Sequence, residues 1–338
     1  MATIRKSSSK TQKRRITIKD VAKEAGVSIA SVSYALNGTG SVGKDVKERI
    51  EKAIKKLGYR HNIAGRAMRT GKTNTIGLIL PDLTNPFFPD LALAVERAAA
   101  QAGYAVFLIN SENSIESEEA GLNKLLQHGV DGLVWCPASD NDTLKKAKSL
   151  LPIVVVDRPM QNYDCISSNY FQGGQQLAEH LIAMGHTKIG YISGPSHISS
   201  TIKRSEGFKE AIKGHAKIVW QTETEFSFNL NDDTVNQVLK NNSATVIVGG
   251  NDMIANSVIK LLRSNGKSVP NDISVSGFDN TPWSDLVTPS LTTMKQPIRG
   301  LGQEAVSMLM RRFEKPRSKK QNKFLEVDII GRDSVAKL

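Results

Sequence analysis

The segment SIASVSY at 28–34 holds the first side chains whose types and spacing could do chemistry. Ser28, Ile29, Ala30, Ser33 and Tyr34 fall on the opening turns of one short helical pattern. Ile29 and Ala30 suit thymine methyl groups, and Ser33 and the Tyr34 hydroxyl can bond base edges or phosphates. No Arg or Gln stands at this helix start, so hydrogen-bonded base readout is thin. Phosphate grip then has to come from neighbours such as Lys19, Lys44 and Lys47 and from helix N-termini.

These residues need a scaffold, and the flanking sequence supplies one. Thr17 can cap a helix from Ile18 to about Ala25, with Val21, Ala22 and Ala25 on one face and Gly26 as the stop. Ser28 caps a second helix carrying Ile29, Val32, Ala35 and Leu36, which Asn37-Gly38 ends. A third covers about 44–57, with Val46, Ile50, Ala53, Ile54 and Leu57 at helical spacing before Gly58. A fourth short pattern, Ile63–Thr70, ends before Gly71. Helix, glycine turn and second helix over 17–37 form a helix-turn-helix pattern, in which the second helix enters the major groove.

Charge follows the same division. The chain's 338 residues carry 45 Lys and Arg against 33 Asp and Glu, a net +12. Residues 1–72 hold eighteen Lys and Arg against five Asp and Glu, and the remainder is close to neutral. A basic head on a neutral body is the footprint of polyanion binding, because each cation set on a phosphate releases a counterion. The Ser/Lys/Arg-rich arm at 1–15 has the composition of a disordered segment and lacks the apolar stretch of a secretory signal. No run approaches the roughly 18 apolar residues of a membrane span. Cys136 and Cys165 match neither a metal-ligand spacing nor a disulfide framework. The reading is cytoplasmic and nucleoid-associated, with no membrane partner.

Enzyme motifs fail on inspection. G65-R-A-M-R-T-G71-K-T73 has five residues between its glycines rather than four, and lies before a strand instead of after one, so it is no phosphate loop. No G-x-G-x-x-G follows a strand, H-E-x-x-H is absent, and G190-Y-I-S-G194 lacks nucleophile-elbow spacing. His186 reads as a helix-end structural residue. We assign no catalytic residue, metal or cofactor.

From Thr75 onward short β-branched runs alternate with amphipathic segments. Strands are expected from the runs beginning at 75, 104, 130, 152, 188, 244 and 273. Helices are expected near 88–102, 117–128, 171–184, 205–213, 232–240, 252–265 and 299–313. That alternation predicts parallel βαβ sheets with ligands at the strands' carboxyl ends. The units exceed one sheet, so two similar lobes with a cleft are expected. The run 311–323, RRFEKPRSKKQNK, reads as a solvated helix end and loop.

At this point DVAKEAGVSIASVSYALN (20–37) resembles the headpiece of the lactose/galactose repressor family of bacterial transcription regulators. LGYRHNIAGRAMRT at 57–70 looks like its hinge. NPFF at 85–88, VVVDRP at 154–159, GGQQLAEHLIAMGH at 173–186, GGNDMIA at 249–255, ISVSGFDN at 273–280 and LTTMKQP at 291–297 follow in the family's order. The resemblance implies an all-α helix-turn-helix headpiece plus an α/β two-lobed effector domain like the type I periplasmic binding proteins. It divides the chain into an arm (1–15), headpiece (16–60), hinge and linker (61–73) and body (74–338). Lobe 1 would span about 74–166 and 295–325, and lobe 2 about 167–294 and 326–338.

The same resemblance implies a homodimer on a near-palindromic double-stranded operator, with DNA contacts from Thr17, Lys19, Ser28, Ile29, Ala30, Ser33, Tyr34, Asn37, Asn62, Arg66 and Met68. Met68 stands where an apolar wedge, usually Leu, unstacks a central base step. His61 replaces the family's usual Pro. Gly65 replaces its Ala, at about 1 kcal/mol of hinge-helix stability. Phe87, Phe88, Asp157, Arg158, Arg204, Phe226, Asn251 and Asp279 would line the effector cleft. There Asp279 and Asn251 accept hydroxyls, Arg204 donates a rigid fork, and Phe88 and Phe226 stack on a ring. Asp157-Arg158 reads alternatively as a lobe-interface salt bridge, and Trp283 as either a cleft cover or a surface residue. Ile198 stands where some relatives place a carboxylate-binding Arg. The function implied is a repressor controlled by a small metabolite, a sugar foremost. The alternatives are a solute-binding protein of a transport system and a purine-type corepressor-dependent regulator.

Overall fold

The computed structural model of the chain describes residues 16–37, 40–59 and 71–338. The arm, Gly38, the pattern at 63–70 and the hinge positions His61, Asn62, Gly65, Arg66 and Met68 lie outside the described residues, as does the side chain of Asn37. The chain divides into two compact units, Met1–Gly71 and Lys72–Leu338.

The first unit contains α1 (Ile18–Ala25), α2 (Ile29–Asn37) and α3 (Lys44–Leu57). Thr17 starts α1 by donating its backbone N–H and its hydroxyl to Asp20 Oδ2 at 2.8 and 2.7 Å. Gly26 and Gly58 end α1 and α3 at φ of 64° and 62°, the left-handed backbone that favours glycine. Ser28 caps α2 by accepting the Ser31 N–H at 3.0 Å. Val21 and Ala25, Val32, and Ile50 and Ala53 bring the three helices together in one core. Arg49 donates to the carbonyls of Ala25 and Gly26 at 3.1 and 3.0 Å, setting a cation on the negative end of α1.

The second unit is two six-stranded α/β lobes. The first lobe begins with β1 (Thr75–Leu80), α4 (Phe87–Gln101), β2 (Ala105–Asn110), α5 (Ile115–Gln127), β3 (Gly132–Trp135), β4 (Ile153–Val156) and β5 (Asp164–Ser168). The second continues with α6 (Tyr170–Ala183), β6 (Lys188–Ser193), α7 (Ser199–Ala211), β7 (Lys217–Glu223), α8 (Asp232–Lys240), β8 (Val246–Gly249), α9 (Asp252–Ser264), β9 (Ser274–Asp279), α10 (Trp283–Leu286) and β10 (Thr292–Lys295). The chain then returns to the first lobe for α11 (Ile298–Glu314) and β11 (Asn322–Leu325), and ends in the second with β12 (Asp328–Ile330). Strand orders are β11-β5-β4-β3-β1-β2 and β12-β10-β9-β8-β6-β7. Neighbours pair in parallel except β10 with β12. The lobes therefore exchange chain three times, at Asn169, around Gln296-Pro297 and around Glu326-Val327.

The strand and helix runs read from the sequence coincide with elements of these lobes, and five strands lie outside them. β5, β10 and β11 are short and polar, β7 is an edge strand and β12 has three residues. β5 extends through Ser168, two residues past the expected lobe boundary, and Lys295 stays in the second sheet. The solvated reading of 311–323 is corrected. Arg312 is buried, and Asn322–Leu325 is a strand paired with β5. The cause is Asp164, a buried carboxylate that takes Arg311 Nη2 at 2.6 Å and Arg312 Nε at 2.9 Å. A buried charge needs such partners.

α6 and α7 pack backbone to backbone. A Cβ at Gly207 would lie 1.9 Å from Phe171 O, and one at Gly174 would lie 2.1 Å from Arg204 O. This contact seats Arg204, which α7 carries. Gly207→Ala is expected to push the helices apart and cost about 1–3 kcal/mol. Thermal unfolding should show a midpoint lower by roughly 2–4 °C per kcal/mol. An unchanged midpoint would mean the helices separate freely.

Candidate functional site

On the first unit, α2 presents one open face. Ser28, Ile29, Ala30 and Tyr34 are exposed, Ile29 and Tyr34 to 45% and 48%, and Ser33 is half-buried among them. Large apolar side chains are rarely left so open on a small helical unit without a use. Val32, on the opposite side of α2, is fully buried. Gly40 backs the Tyr34 ring so closely that a Cβ there would come within 2.8 Å of Cγ. Thr17, Lys19, Lys44 and Lys47 are exposed on the same unit.

On the second unit, the carboxyl ends of the strands converge on a cleft between the lobes. All eight expected side chains, Phe87, Phe88, Asp157, Arg158, Arg204, Phe226, Asn251 and Asp279, line one cavity there. Asn85, Ser200 and Gln296 join them. Phe87 and Phe88 open α4 and meet edge to face at 5.1 Å. They belong at once to the lobe core and to the cavity wall. Asp157 follows β4 at φ 74°, and Asp279 ends β9 at φ 123°. Backbone strain of this kind costs on the order of 1–3 kcal/mol per residue and clusters at ligand sites.

A hydrogen-bonded chain crosses the cleft. The Tyr170 hydroxyl, in the second lobe, donates to Asp157 Oδ1 in the first and lies 3.1 Å from Gln296 Oε1. Gln296 Oε1 also accepts from Ser168 at 2.7 Å, while its Nε2 donates to Asp279 at 2.7 Å. Arg204 Nη1 donates to Gly250 O at 2.9 Å and stands 3.6 Å from Asp279 Oδ1. Its guanidinium lies 4.1 and 4.7 Å from the centres of the Phe278 and Tyr170 rings. Burial pushes the Asp279 carboxyl up to about 7, against the opposing pull of Arg204. Burial, followed by Asp157, raises the Tyr170 phenol well above its usual value.

Three expectations change. Asn251 does not accept ligand hydroxyls, because its Oδ1 takes the Ile254 N–H at 3.0 Å and caps α9. It offers its Nδ2 instead. Arg158 makes no salt bridge between lobes; it donates to Pro137 O and Ala138 O at 2.6 Å and stands 3.7 Å from Asp157, all in the first lobe. Trp283 does not line the cleft. It is half-exposed and stacks on Phe228 at 5.3 Å. Sequence reasoning also missed Tyr170 and Gln296, whose positions after β5 and β10 depend on strands with no apolar signature.

Three donors on cavity-lining residues, Asn251 Nδ2, Arg158 Nε and Arg204 Nε, are buried without a hydrogen-bond partner. An orphaned buried donor costs about 1–3 kcal/mol, which a ligand oxygen recovers. With the acceptor Asp279 and three phenylalanine rings, the cavity suits an oxygen-rich ligand with one apolar face. Elsewhere His186 is fully buried between Thr245 Oγ1 at 2.9 Å and Ala336 O at 3.0 Å, a structural tie. Among the described residues, no helix is long and apolar enough to cross a membrane.

Comparison with known proteins agrees with both halves. Residues 17–62 match the model of bacterial regulatory proteins, lacI family. Residues 73–330 match that of the periplasmic binding proteins and sugar binding domain of the LacI family. The ribose operon repressor of Halalkalibacterium halodurans is 35% identical over 309 residues, covering 88% of this chain and 91% of its own. The transcriptional repressor PurR of Photobacterium profundum is 34% identical, covering 95% and 99%. Among solved structures, a lac repressor dimer bound to operator and an anti-inducer superposes with a TM-score of 0.84 at 25% identity, covering 96% of this chain and 100% of that one. A LacI-family regulator from Enterococcus faecium with bound ribose gives 0.70 at 30% identity, covering 78% and 99%. The chain belongs to the lacI family of bacterial regulatory proteins, with a helix-turn-helix headpiece and a two-lobed body of the type I periplasmic-binding kind.

Proposed function

We propose that the chain is a dimeric transcriptional repressor working in the cytoplasm, whose grip on a near-palindromic operator is set by a neutral sugar held between the lobes. The observation that carries the sugar reading is the set of buried donors without a hydrogen bond, Asn251 Nδ2 and Arg204 Nε together with Arg158 Nε, which has only Asp157 at 3.7 Å, beside Asp279 in one cavity. Above about pH 7, where Asp279 is ionised, two guanidiniums and two carboxylates balance there, which favours a ligand without net charge. The ribose repressor and the ribose-bound regulator point to a pentose. No catalytic step belongs to this reading.

The cavity as it stands has about 20 Å³ of room, little more than one water requires. A sugar enters only when the lobes part, so the ligand discriminates between open and closed bodies. That difference in affinity is what any control of operator binding must draw on. Calorimetric titration against ribose, other pentoses, hexoses and nucleobases tests the reading. Micromolar binding of one pentose with a matching change in operator affinity supports it. Nucleobase binding alone would replace it with the purine-type regulator, and no response to any ligand would remove the sensor role.

DNA reading is assigned to α2. Tyr34→Ala should flatten the preference between operator and random duplex by about 1–3 kcal/mol, a loss of roughly five- to 150-fold. Lys19→Ala should weaken both duplexes alike and make the salt dependence shallower by about one phosphate contact per subunit, about two for the dimer. Mobility shifts at two salt concentrations separate the two. Identical behaviour of the variants would overturn the assignment.

A further inference from the structure

Beyond α11 the chain reads KPRSKK at 315–320, and Lys315, Arg317, Lys319 and Lys320 are exposed. This loop is pinned. Arg312 Nη1 donates to Pro316 O at 2.9 Å and Ser318 O at 2.7 Å, and Arg311 Nη1 reaches Lys319 O at 3.4 Å. The Gln321 N–H closes the loop on Asp164 at 2.9 Å. Asp164 is paired with Arg311 and Arg312, so of the loop's lysines only Lys320 feels its charge appreciably. Lys320 instead donates to Asn162 O, and both Lys320 and Lys148 stand over the Tyr163 ring, 5.8 and 4.7 Å from its centre. Lys145 and Lys146 are exposed beside Lys148. Of the nearby acids, Glu304 is paired with Lys323 at 2.6 Å, while Asp142, which accepts from the Tyr163 hydroxyl at 2.6 Å, and exposed Glu314 keep their charges and are outnumbered by the seven cations. Burial and the neighbouring Lys148 hold the Lys320 ammonium below its usual value. Like charges are therefore gathered on a fixed loop.

The loop's place in the body matters. β1, β3, β4, β5 and β11 run parallel, so their first residues share one edge. The loop leads into Asn322 at the start of β11. The chain enters the body at the same edge, where the N–H groups of Thr73 and Asn74 bond Asp131 at 2.9 and 2.8 Å. The ligand cleft lies at the opposite, carboxyl end of these strands.

We propose that this loop is a second duplex-binding surface, in which Lys315, Arg317, Lys319 and Lys320, with Lys145, Lys146 and Lys148 beside them, take phosphates of the DNA flanking the operator. The inference rests on the operator-binding reading above. The cations are strung along two segments rather than gathered round one point, which suits a backbone of spaced phosphates. A loop already pinned loses little entropy on binding. The contacts carry no base information; they add affinity and salt dependence.

The test uses the full-length protein and an operator selected from random duplex, prepared short and with extended flanks. The triple variant Lys315→Gln, Arg317→Gln, Lys319→Gln keeps every backbone acceptor of the loop. With one phosphate contact per subunit, the long duplex should bind the variant roughly tenfold or more weakly near 0.1 M salt, with a salt slope shallower by about 2. The short duplex and ligand titrations should be unaffected. Methylphosphonates in the flanks should cost the wild type the same amount without touching the protein. Equal slopes for variant and wild type on long flanks, with no effect of methylphosphonates, overturn the inference while leaving the operator reading intact. If the wild type selects no duplex at all, both fall together.

Discussion

Replacing Arg204 with Met is expected to leave a protein that holds its operator but no longer answers to sugar. Arg204 contributes an unpartnered Nε to the cavity and holds Asp279 from 3.6 Å. Charged hydrogen bonds are worth about 1.5–3 kcal/mol each, so losing the donor and its hold on Asp279 should weaken ligand binding about 100-fold or more. Stability should fall as well, with a definite pH dependence. The Asp279 carboxyl is pushed up to about 7 by burial, so the folded state holds a proton that the unfolded state releases near its ordinary carboxylate value. Stability therefore declines as pH rises toward 7 and levels off above it. Without the guanidinium the carboxyl rises further, and the decline continues to higher pH. Breaking the buried pair should cost roughly 3–5 kcal/mol in alkaline solution and less near pH 6, where the proton stands in for the cation. Urea unfolding from pH 6 to 9 reads the gap. A gap that narrows with rising pH would mean that Asp279 is not the charge Arg204 compensates.

Leu286→Asp should separate the dimer. Leu286 is 78% exposed at the end of α10, next to the Trp283–Phe228 stack. Three large apolar side chains left open together mark an association surface. A two-fold interface uses the same patch twice, so one substitution brings two carboxylates into it. Dissociation should rise at least 100-fold, and sedimentation at micromolar protein should show monomers. Operator affinity should fall by a similar factor, because one headpiece is left to hold each half-site. Sugar binding per subunit should persist, since the two lobes of one chain enclose the cleft. A dimer that survives at nanomolar concentration would place the interface elsewhere.

How much could be read beforehand depended on what each residue was doing. Helices whose buried faces recur at helical spacing, such as Val46, Ile50, Ala53, Ile54 and Leu57 in α3, announce themselves. So do strands buried on both faces, such as TIGLIL in β1. β5 and β10 stayed hidden because DCISS and TTMK are short and set buried hydroxyls beside a single large apolar side chain, Ile166 or Met294, with Thr292 and Thr293 fully enclosed. Two of those hydroxyls find partners distant in sequence, Thr293 Oγ1 donating to Asp252 at 2.5 Å and Ser168 to Gln296 at 2.7 Å, while Ser167 Oγ is buried without one. α7 starts at Ser199, before any apolar period, because its first turns face the cleft and a neighbouring backbone. The eight cavity residues were named by resemblance and not by pattern, and their roles needed geometry. Asn251 stands just before the helix expected at 252–265, and that N-cap position is the signal that its oxygen is spent on the Ile254 N–H.

The triple exchange of chain between the lobes has a consequence for biosynthesis. The first lobe's core needs Leu301, Ala305 and Leu309 from α11, yet β1 to β5 are complete by Ser168. At about 5–20 residues per second, the apolar face awaiting α11 stays bare for roughly ten seconds while the second lobe is being made. The second sheet closes later still, with β12 at Asp328–Ile330. Both halves of the body wait for the last stretch of chain, the first for β11 and the second for β12 a few residues later, so nascent chains should depend on chaperones until that stretch emerges.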